Sequence, residues 1–215
     1  MIDLNTVGVE EIFKDFVITV DLQHDLKQLV EDAYILKRDY PSQTVSNIGG
    51  WQSPVFGPQC PIEILNQIPK SFSNLQRDCW ELCNSITVGK FQKHLQKKHT
   101  GWWCNINEMY CHNTMHHHAR ADLIAVAFIK TPPNSGKMVI ARCDGATYSQ
   151  LYDNFQYPVP SEAGKLYVFP GHVWHYVEAS HSEEDRISVA FNFYIDPKHY
   201  GDNISKAYHF GIGAV

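Results

Sequence analysis

No run of 18 apolar residues occurs in the chain, so no segment reads as a membrane-spanning helix. The opening stretch MIDLNTVGVEEIFKDF is acidic where a secretory signal would be basic and then apolar, and the expectation is an unsecreted, cytoplasmic protein. Basic residues are not in excess: 18 Lys and Arg stand against 23 Asp and Glu, a formal charge of −5, which argues against a broad phosphate-neutralising surface and a nucleic-acid partner. The six cysteines (Cys60, Cys79, Cys83, Cys104, Cys111, Cys143) include no Cys-x-x-Cys pair, which excludes a zinc ribbon or a dithiol redox motif and leaves buried reduced thiols. Internal repeats, low-complexity tracts and linkers are also missing. What is present is 215 residues with 44% apolar and 13% aromatic side chains, the balance of one globular domain. A chain of this length buries about 70% of its unfolded surface without needing a structural metal, so a metal site would be functional.

The first half reads as helical. DFVITVDL (15–22) is a short β-branched strand, and HDLKQLVEDAYILKRDY (24–40) repeats Leu26, Leu29, Val30, Ala33 and Leu36 at helical spacing. Residues 41–61, rich in Gly, Pro and Ser, read as a long ordered loop of the kind that forms a lid. SFSNLQRDCWELCNSI (71–86) puts Phe72, Leu75, Cys79, Trp80 and Cys83 on one helical stripe, with Ser71 or Ser73 as the cap. From about residue 99 the chain turns to strands: WWCNINEMY, DLIAVAFIK, GKMVIAR, KLYVF, HVWHYVEA and RISVAFNFYI. Short strands preceded by covering helices predict a mainly β fold with supporting helices, a double-sheet jelly roll. The organisation expected is helical support and lid loop over 1–98, jelly-roll core over 99–196 and an extension over 197–215, which could be a tail, a strand or a homodimer contact.

Four of the twelve histidines fall within seven residues: His112, His116, His117 and His118. In an extended segment side chains alternate, so His116 and His118 point one way and His117 the other, and two imidazoles at i and i+2 can chelate one metal ion. A solvated loop is the plain alternative. The best third ligand is His175, just beyond the Pro-Gly turn of KLYVFPGHVWHYVEA, with His172 on the turn itself.

In RISVAFNFYI, Arg186, Ser188, Ala190 and Asn192 share one face and Ile187, Val189, Phe191 and Phe193 the other. The second face is core. An arginine on an inward face stays charged and requires an anionic partner, either a neighbour such as Glu184 or Asp185 or a bound acid. If SHSEED closes a hairpin that sets Ala179 against Arg186, His175 faces Ala190 and shares a face with Arg186, Ser188 and Asn192. Arg186 then lies about four residues, on the order of 13 Å, from the metal, room for a small dicarboxylate.

His116-x-His118, a distant His175, then Arg186-x-Ser188 resembles the 2-oxoglutarate and Fe(II)-dependent oxygenases, whose signature is His-x-Asp/Glu, a distant His and Arg-x-Ser. GGWQS (49–53), HHH (116–118), FPGHVWH (169–175) and RISVAFN (186–192) are closer still to a group of such oxygenases, many of them phage-borne, for which the location would be the host cytoplasm. The resemblance implies a double-stranded β-helix, iron held by His116, His118 and His175, 2-oxoglutarate chelating it and held at its far carboxylate by Arg186 and Ser188, and O2 taking the last position. Tyr110, Asn113 and Asn192 are further candidates for contacts to the cosubstrate; Asn113 needs a strand bulge to face the right way.

The chain departs from the wider superfamily at His118, where a carboxylate is usual. Either His118 ligates as a neutral imidazole, or Asp122 replaces it, or the position is open to a halide as in halogenating relatives. The activity implied is hydroxylation of a small molecule or side chain with oxidative decarboxylation of 2-oxoglutarate to succinate. A three-histidine cupin-like metalloenzyme without 2-oxoglutarate, and a non-catalytic jelly-roll module or virion-associated protein, are the alternatives. Selection of substrate is expected from Trp51 and Gln52 of the GGWQSP loop and from Trp103, with Trp102 beside it, although each tryptophan could equally pack on the helices.

Overall fold

The computed structural model describes residues 15–118, 120–141 and 156–199. The expectations for the N-terminal leader, Cys143 and most of the 197–215 extension lie outside these residues. Among the described residues no helix is long and apolar enough to cross a membrane.

The chain begins with β1 (Ile18–Asp21) and α1 (Leu26–Asp39). Asp25 caps α1 by accepting the Gln28 backbone N–H at 3.1 Å, and Leu29, Ala33 and Leu36 form its buried stripe. Residues 41–61 hold two short strands, β2 (Asn47–Ile48) and β3 (Trp51–Gln52), where the sequence suggests only loop. Gly50 sits between them so close to the chain that a Cβ there would come within 2.7 Å of the Asn47 side chain and the Ile106 carbonyl. This close approach explains why the GGWQS turn needs a glycine.

A short α2 (Ile62–Leu65) leads to α3 (Lys70–Phe91), whose face of Phe72, Leu75, Cys79 and Cys83 is buried as expected. Its cap differs. Pro69 occupies the N-cap with no side-chain bond, and Ser71, already helical, instead donates its hydroxyl to the buried carboxylate of Asp32.

The remaining strands are β4 (Gly101–Asn107), β5 (His112–His116), β6 (Leu123–Lys130), β7 (Met138–Ala141), β8 (Gln156–Pro158), β9 (Lys165–Pro170), β10 (Trp174–Val177) and β11 (Arg186–Phe193). They form two antiparallel sheets, ordered β1-β9-β6-β11-β4-β3 and β2-β5-β10-β7-β8. This is the double-stranded β-helix. The hairpin expected between β10 and β11 does not form: β10 lies between β5 and β7, whereas β11 crosses to the other sheet between β4 and β6. Apart from β3–β4 and β7–β8, strands adjacent in sequence lie in different sheets, and so β10 and β11 face one another across the interior instead of pairing edge to edge.

The predicted alternation of β11 survives this change. Ile187, Val189, Phe191 and Phe193 are fully buried on the outer side of the six-stranded sheet, in one cluster with the stripes of α1 and α3. A second cluster, including Ile124, Val126, Phe128, Met138, Phe169 and Ala190, fills part of the space between the sheets. Each large side chain so buried contributes about 1.5–3 kcal/mol. The rest of that space is polar.

Candidate metal centre and acid pocket

His116 ends β5 and His175 lies on β10, directly paired in register, so one rung of the ladder fixes both. His118 follows two residues later, with its backbone N–H donated to the Gly171 carbonyl and its ring stacked on Trp103 at 5.4 Å. One ring nitrogen from each of the three histidines lies within 4.8 Å of the others.

The hydrogen bonds decide which nitrogen is free. Nδ1 of His116 donates to the Thr114 carbonyl (2.6 Å), Nδ1 of His175 to the Val173 carbonyl (3.1 Å) and Nδ1 of His118 to Oδ1 of Asn192 (2.6 Å). Carbonyl oxygens only accept, so each ring is held with its proton on Nδ1, and Nε2 is left with its lone pair for a metal. Burial keeps all three neutral: the His116 pKa lies below its ordinary value, and desolvation lowers His118 to about 4 and His175 to about 3. Three convergent neutral imidazoles fit a divalent transition metal.

His117 points away, against Trp174 at a ring separation of 4.3 Å. Asp122 does not join the cluster: its carboxylate accepts the Ile195 backbone N–H at 2.8 Å. His118 brings its ring nitrogen to the group with His116 and His175. His172 is on the exposed turn, 2.9 Å from Asp15.

Arg186 and Ser188 lie on the same face of β11 and line one cavity with His116, His118 and His175. Arg186 is 1% exposed, and among the described residues only its Nη1 is engaged, by the carbonyls of Ser135 (2.6 Å) and Gly136 (3.4 Å). Its neighbours in sequence are committed elsewhere, Glu184 to Lys130 at 3.0 Å and Asp185 to the Tyr34 hydroxyl at 2.8 Å. Among the described residues no carboxylate pairs with Arg186. Desolvation lowers its pKa to about 10, with Cys111 and Glu178 acting weakly in the other direction. The cavity thus has metal-binding nitrogens at one side, an unpaired guanidinium at another, and an apolar wall of Val126, Phe128, Met138 and Val177.

The other candidates divide. Asn113 lines the cavity, because β5 carries the bulge it needs: His175 pairs with His116, but Val177 pairs with Asn113. Tyr110 does not. It sits at φ 65° in the turn before β5, 69% exposed, with its ring edge on His181. Asn192 faces the histidines and is taken up by His118. Trp103 lines the cavity, whereas Trp51 and Trp102 face the helices: Trp51 donates to the Tyr40 carbonyl (3.0 Å), and Trp102 stacks on Phe72 at 5.2 Å. Gln52, on the opposite face of β3 from Trp51, is buried, and its Oε1 has no partner among the described residues.

The sequence reading misses Asn47, Asn105 and Asn107. Asn105 and Asn107 alternate with the core residues Cys104 and Ile106 along β4 and pair with Ser188 and Arg186. Polar residues at every second position of an otherwise apolar strand were the available signal.

Residues 101–192 match the sequence model of the family described as "Putative 2OG-Fe(II) oxygenase". No curated protein sequence matches the chain. Among solved structures, a Pseudomonas putida prolyl-4-hydroxylase aligns with TM-score 0.58 at 16% identity, over 83% of this chain and 91% of that one. A Trichoplax adhaerens prolyl hydroxylase, solved with a hypoxia inducible factor oxygen degradation domain peptide fragment, aligns with TM-score 0.57 at 11% identity, over 89% and 86%. The non-heme alpha ketoglutarate dependent epimerase SnoN from nogalamycin biosynthesis aligns with TM-score 0.59 at 14% identity, over 83% and 77%. These structures share the fold. The matched family uses Fe(II), 2-oxoglutarate and O2, and the histidine triad of this chain can hold the iron.

Proposed function

We propose that the protein is a 2-oxoglutarate and Fe(II)-dependent dioxygenase that hydroxylates a carbon of a small molecule or side chain. The observation that carries this reading is the placement of a buried Arg186, with no acid partner among the described residues, in one cavity with three histidines whose ring nitrogens converge. A metal site alone would fit many enzymes; a metal site and an unpaired guanidinium in one cavity fit a cosubstrate that is a keto acid at one end and a carboxylate at the other.

His116, His118 and His175 bind the metal through Nε2, and Asn192 fixes the orientation of His118. Arg186 and Ser188 hold the far carboxylate in charge-assisted hydrogen bonds. Val126, Phe128, Met138 and Val177 flank the carbon chain and exclude water, which strengthens those bonds. Iron with O2 supplies the oxidising step, in which 2-oxoglutarate, O2 and a substrate C–H become succinate, CO2 and a C–OH. The protein positions the partners and limits side reactions. Of the residues expected to meet the primary substrate, Trp103 is the one that lines the cavity.

The test is anaerobic titration of Fe(II)-loaded protein with 2-oxoglutarate, read by the visible charge-transfer band of a keto acid chelating iron. Arg186→Ala is expected to lose 2-oxoglutarate binding with metal content unchanged, and His175→Ala to lose the metal. An Arg186→Ala variant that binds 2-oxoglutarate like the native protein would sink the reading. A metal-loaded native protein without the band would favour three-histidine chemistry that uses no keto acid.

A further inference from the structure

The cavity has a third polar feature besides the histidines and Arg186. Asn47 donates through Nδ2 to the Trp51 carbonyl (3.1 Å) and to Oδ1 of Asn105 (3.4 Å). Asn107 donates through Nδ2 to Oδ1 of Asn47 (3.2 Å) and of Asn113 (3.4 Å), and Asn113 donates to Oγ of Ser46 (3.4 Å). All four asparagines are at most 7% exposed, and together they tie β2, β4 and β5 across the gap between the sheets.

This relay has a direction. The Trp51 carbonyl can only accept and so fixes the Asn47 NH2, after which flipping any one amide would set oxygen against oxygen or NH2 against NH2. Asn105 is one end of the relay and lines the cavity, as do Asn113 and Ser46 at the other end; of these, Asn105 is the one on β4 beside Ser188. Its oxygen is occupied by Asn47, so the end left to the cavity is its NH2 group, for which no hydrogen bond is formed among the described residues. On a side chain only 6% exposed, a donor left facing the cavity gains when a ligand supplies an acceptor. Asn105 is the register partner of Ser188 on β11, two residues from Arg186 on the same face.

We propose that Asn105 is a third anchor for the far carboxylate of the cosubstrate, alongside Arg186 and Ser188, and that Asn47 is the positioning residue that turns its NH2 group to the cavity. The assignment rests on the reading of this cavity as a 2-oxoglutarate site. A neutral donor adds direction to the acid site without adding charge, so one guanidinium remains matched to one carboxylate.

The experiment is calorimetric titration of Mn(II)-loaded protein with 2-oxoglutarate and with 2-oxopentanoate, which keeps the keto acid head and lacks the far carboxylate. Asn105→Ala is expected to weaken 2-oxoglutarate by about tenfold or more, the range for a hydrogen bond to a charged group. It is expected to leave 2-oxopentanoate and Mn(II) affinity nearly unchanged, because neither contacts this side chain. Asn47→Ala should weaken 2-oxoglutarate in the same selective way but less, since Asn105 stays in place with its amide free to turn.

A general loosening of the cavity would weaken both acids equally, and that result, or an unchanged affinity for 2-oxoglutarate, overturns the assignment. If Asn105→Ala fails to fold, Asn105→Asp carries the test at nearly constant volume. It sets an anion beside the bound carboxylate, so its selective loss should exceed that expected for alanine, and native-like affinity for 2-oxoglutarate rejects the proposal. Failure of the native metal-loaded chain to bind either acid removes the cosubstrate reading itself, a result distinguishable because it appears before any substitution.

Discussion

His118 donates to a neutral amide, Asn192, where a metal-bound histidine often donates to a carboxylate. The partner sets how basic the ligating Nε2 is. Asn192→Ala should therefore lower Fe(II) affinity by about 10–100-fold while His116 and His175 stay in place, and Asn192→Asp should retain or raise it. Metal titration against a competing chelator measures both, and an Asn192→Ala protein with native affinity would show that stacking on Trp103 alone orients the ring.

Burial of the histidines also has a pH consequence in the metal-free protein. Their ordinary value is 6.5, and in the folded state His118 and His175 are lowered to about 4 and about 3. The unfolded chain therefore binds protons first. The apoprotein keeps its full stability above about pH 6.5 and loses it progressively as the pH falls toward 4. Melting of the apoprotein across pH 7.5 to 4.5 checks this, and a flat profile would contradict it.

At this scale the sequence was informative where chemistry is encoded by spacing and silent where it is encoded by backbone detail. The i, i+2 rule puts His116 and His118 on one side, and the structure brings both to His175. Tyr110 could not be placed from the same rule, since the left-handed turn that removes it from the strand carries no glycine to announce it. Asn105 and Asn107 were passed over because neither is titratable or nucleophilic.

Among the elements, the β9–β10 turn does more than reverse the chain. Gly171 accepts from His118 N–H and donates to the Asp122 carbonyl, so it fixes the exit of the histidine segment. A Cβ at this position would lie 1.8 Å from the Ala121 carbonyl oxygen, a clash with backbone that no side-chain rotation relieves. Gly171→Ala should thus lower thermal stability and Fe(II) affinity together. A variant that melts early but keeps native affinity would separate the turn from the site.

The helices act on the other face of the six-stranded sheet. Phe72 of α3 stacks on Trp102 with rings 4° from parallel, both buried, and Phe72→Ala should cost about 3–5 kcal/mol in denaturant unfolding. Both helices were legible because apolar residues recur at 3.6-residue spacing over several turns. The two-residue strands β2 and β3 are too short to show any period. The β10–β11 pairing was misjudged because a turn-rich segment between two strands looks the same whether they share a sheet or cross between sheets.

The molecule as a whole places two of the three candidate ligands on one sheet, His118 in the segment leading to the other, and the acid site on the second sheet. Closing the metal site joins these parts. Metal at a hundredfold excess over its Kd adds about 2.7 kcal/mol to a protein that binds it only when folded. For a domain of this size the melting temperature should rise by roughly 5–10 °C. Scanning calorimetry with Mn(II) in place of Fe(II) avoids oxidation, and no shift would mean that the three imidazoles do not act as a chelate.

The buried guanidinium of Arg186 bears on how the protein behaves before any reaction begins. A cation held away from water with no carboxylate paired to it among the described residues is a costly resting condition, so the vacant form should be scarce wherever small dicarboxylates are abundant. Malonate, tartrate or citrate in a buffer would then compete with 2-oxoglutarate, and its apparent affinity should fall in proportion to their concentration.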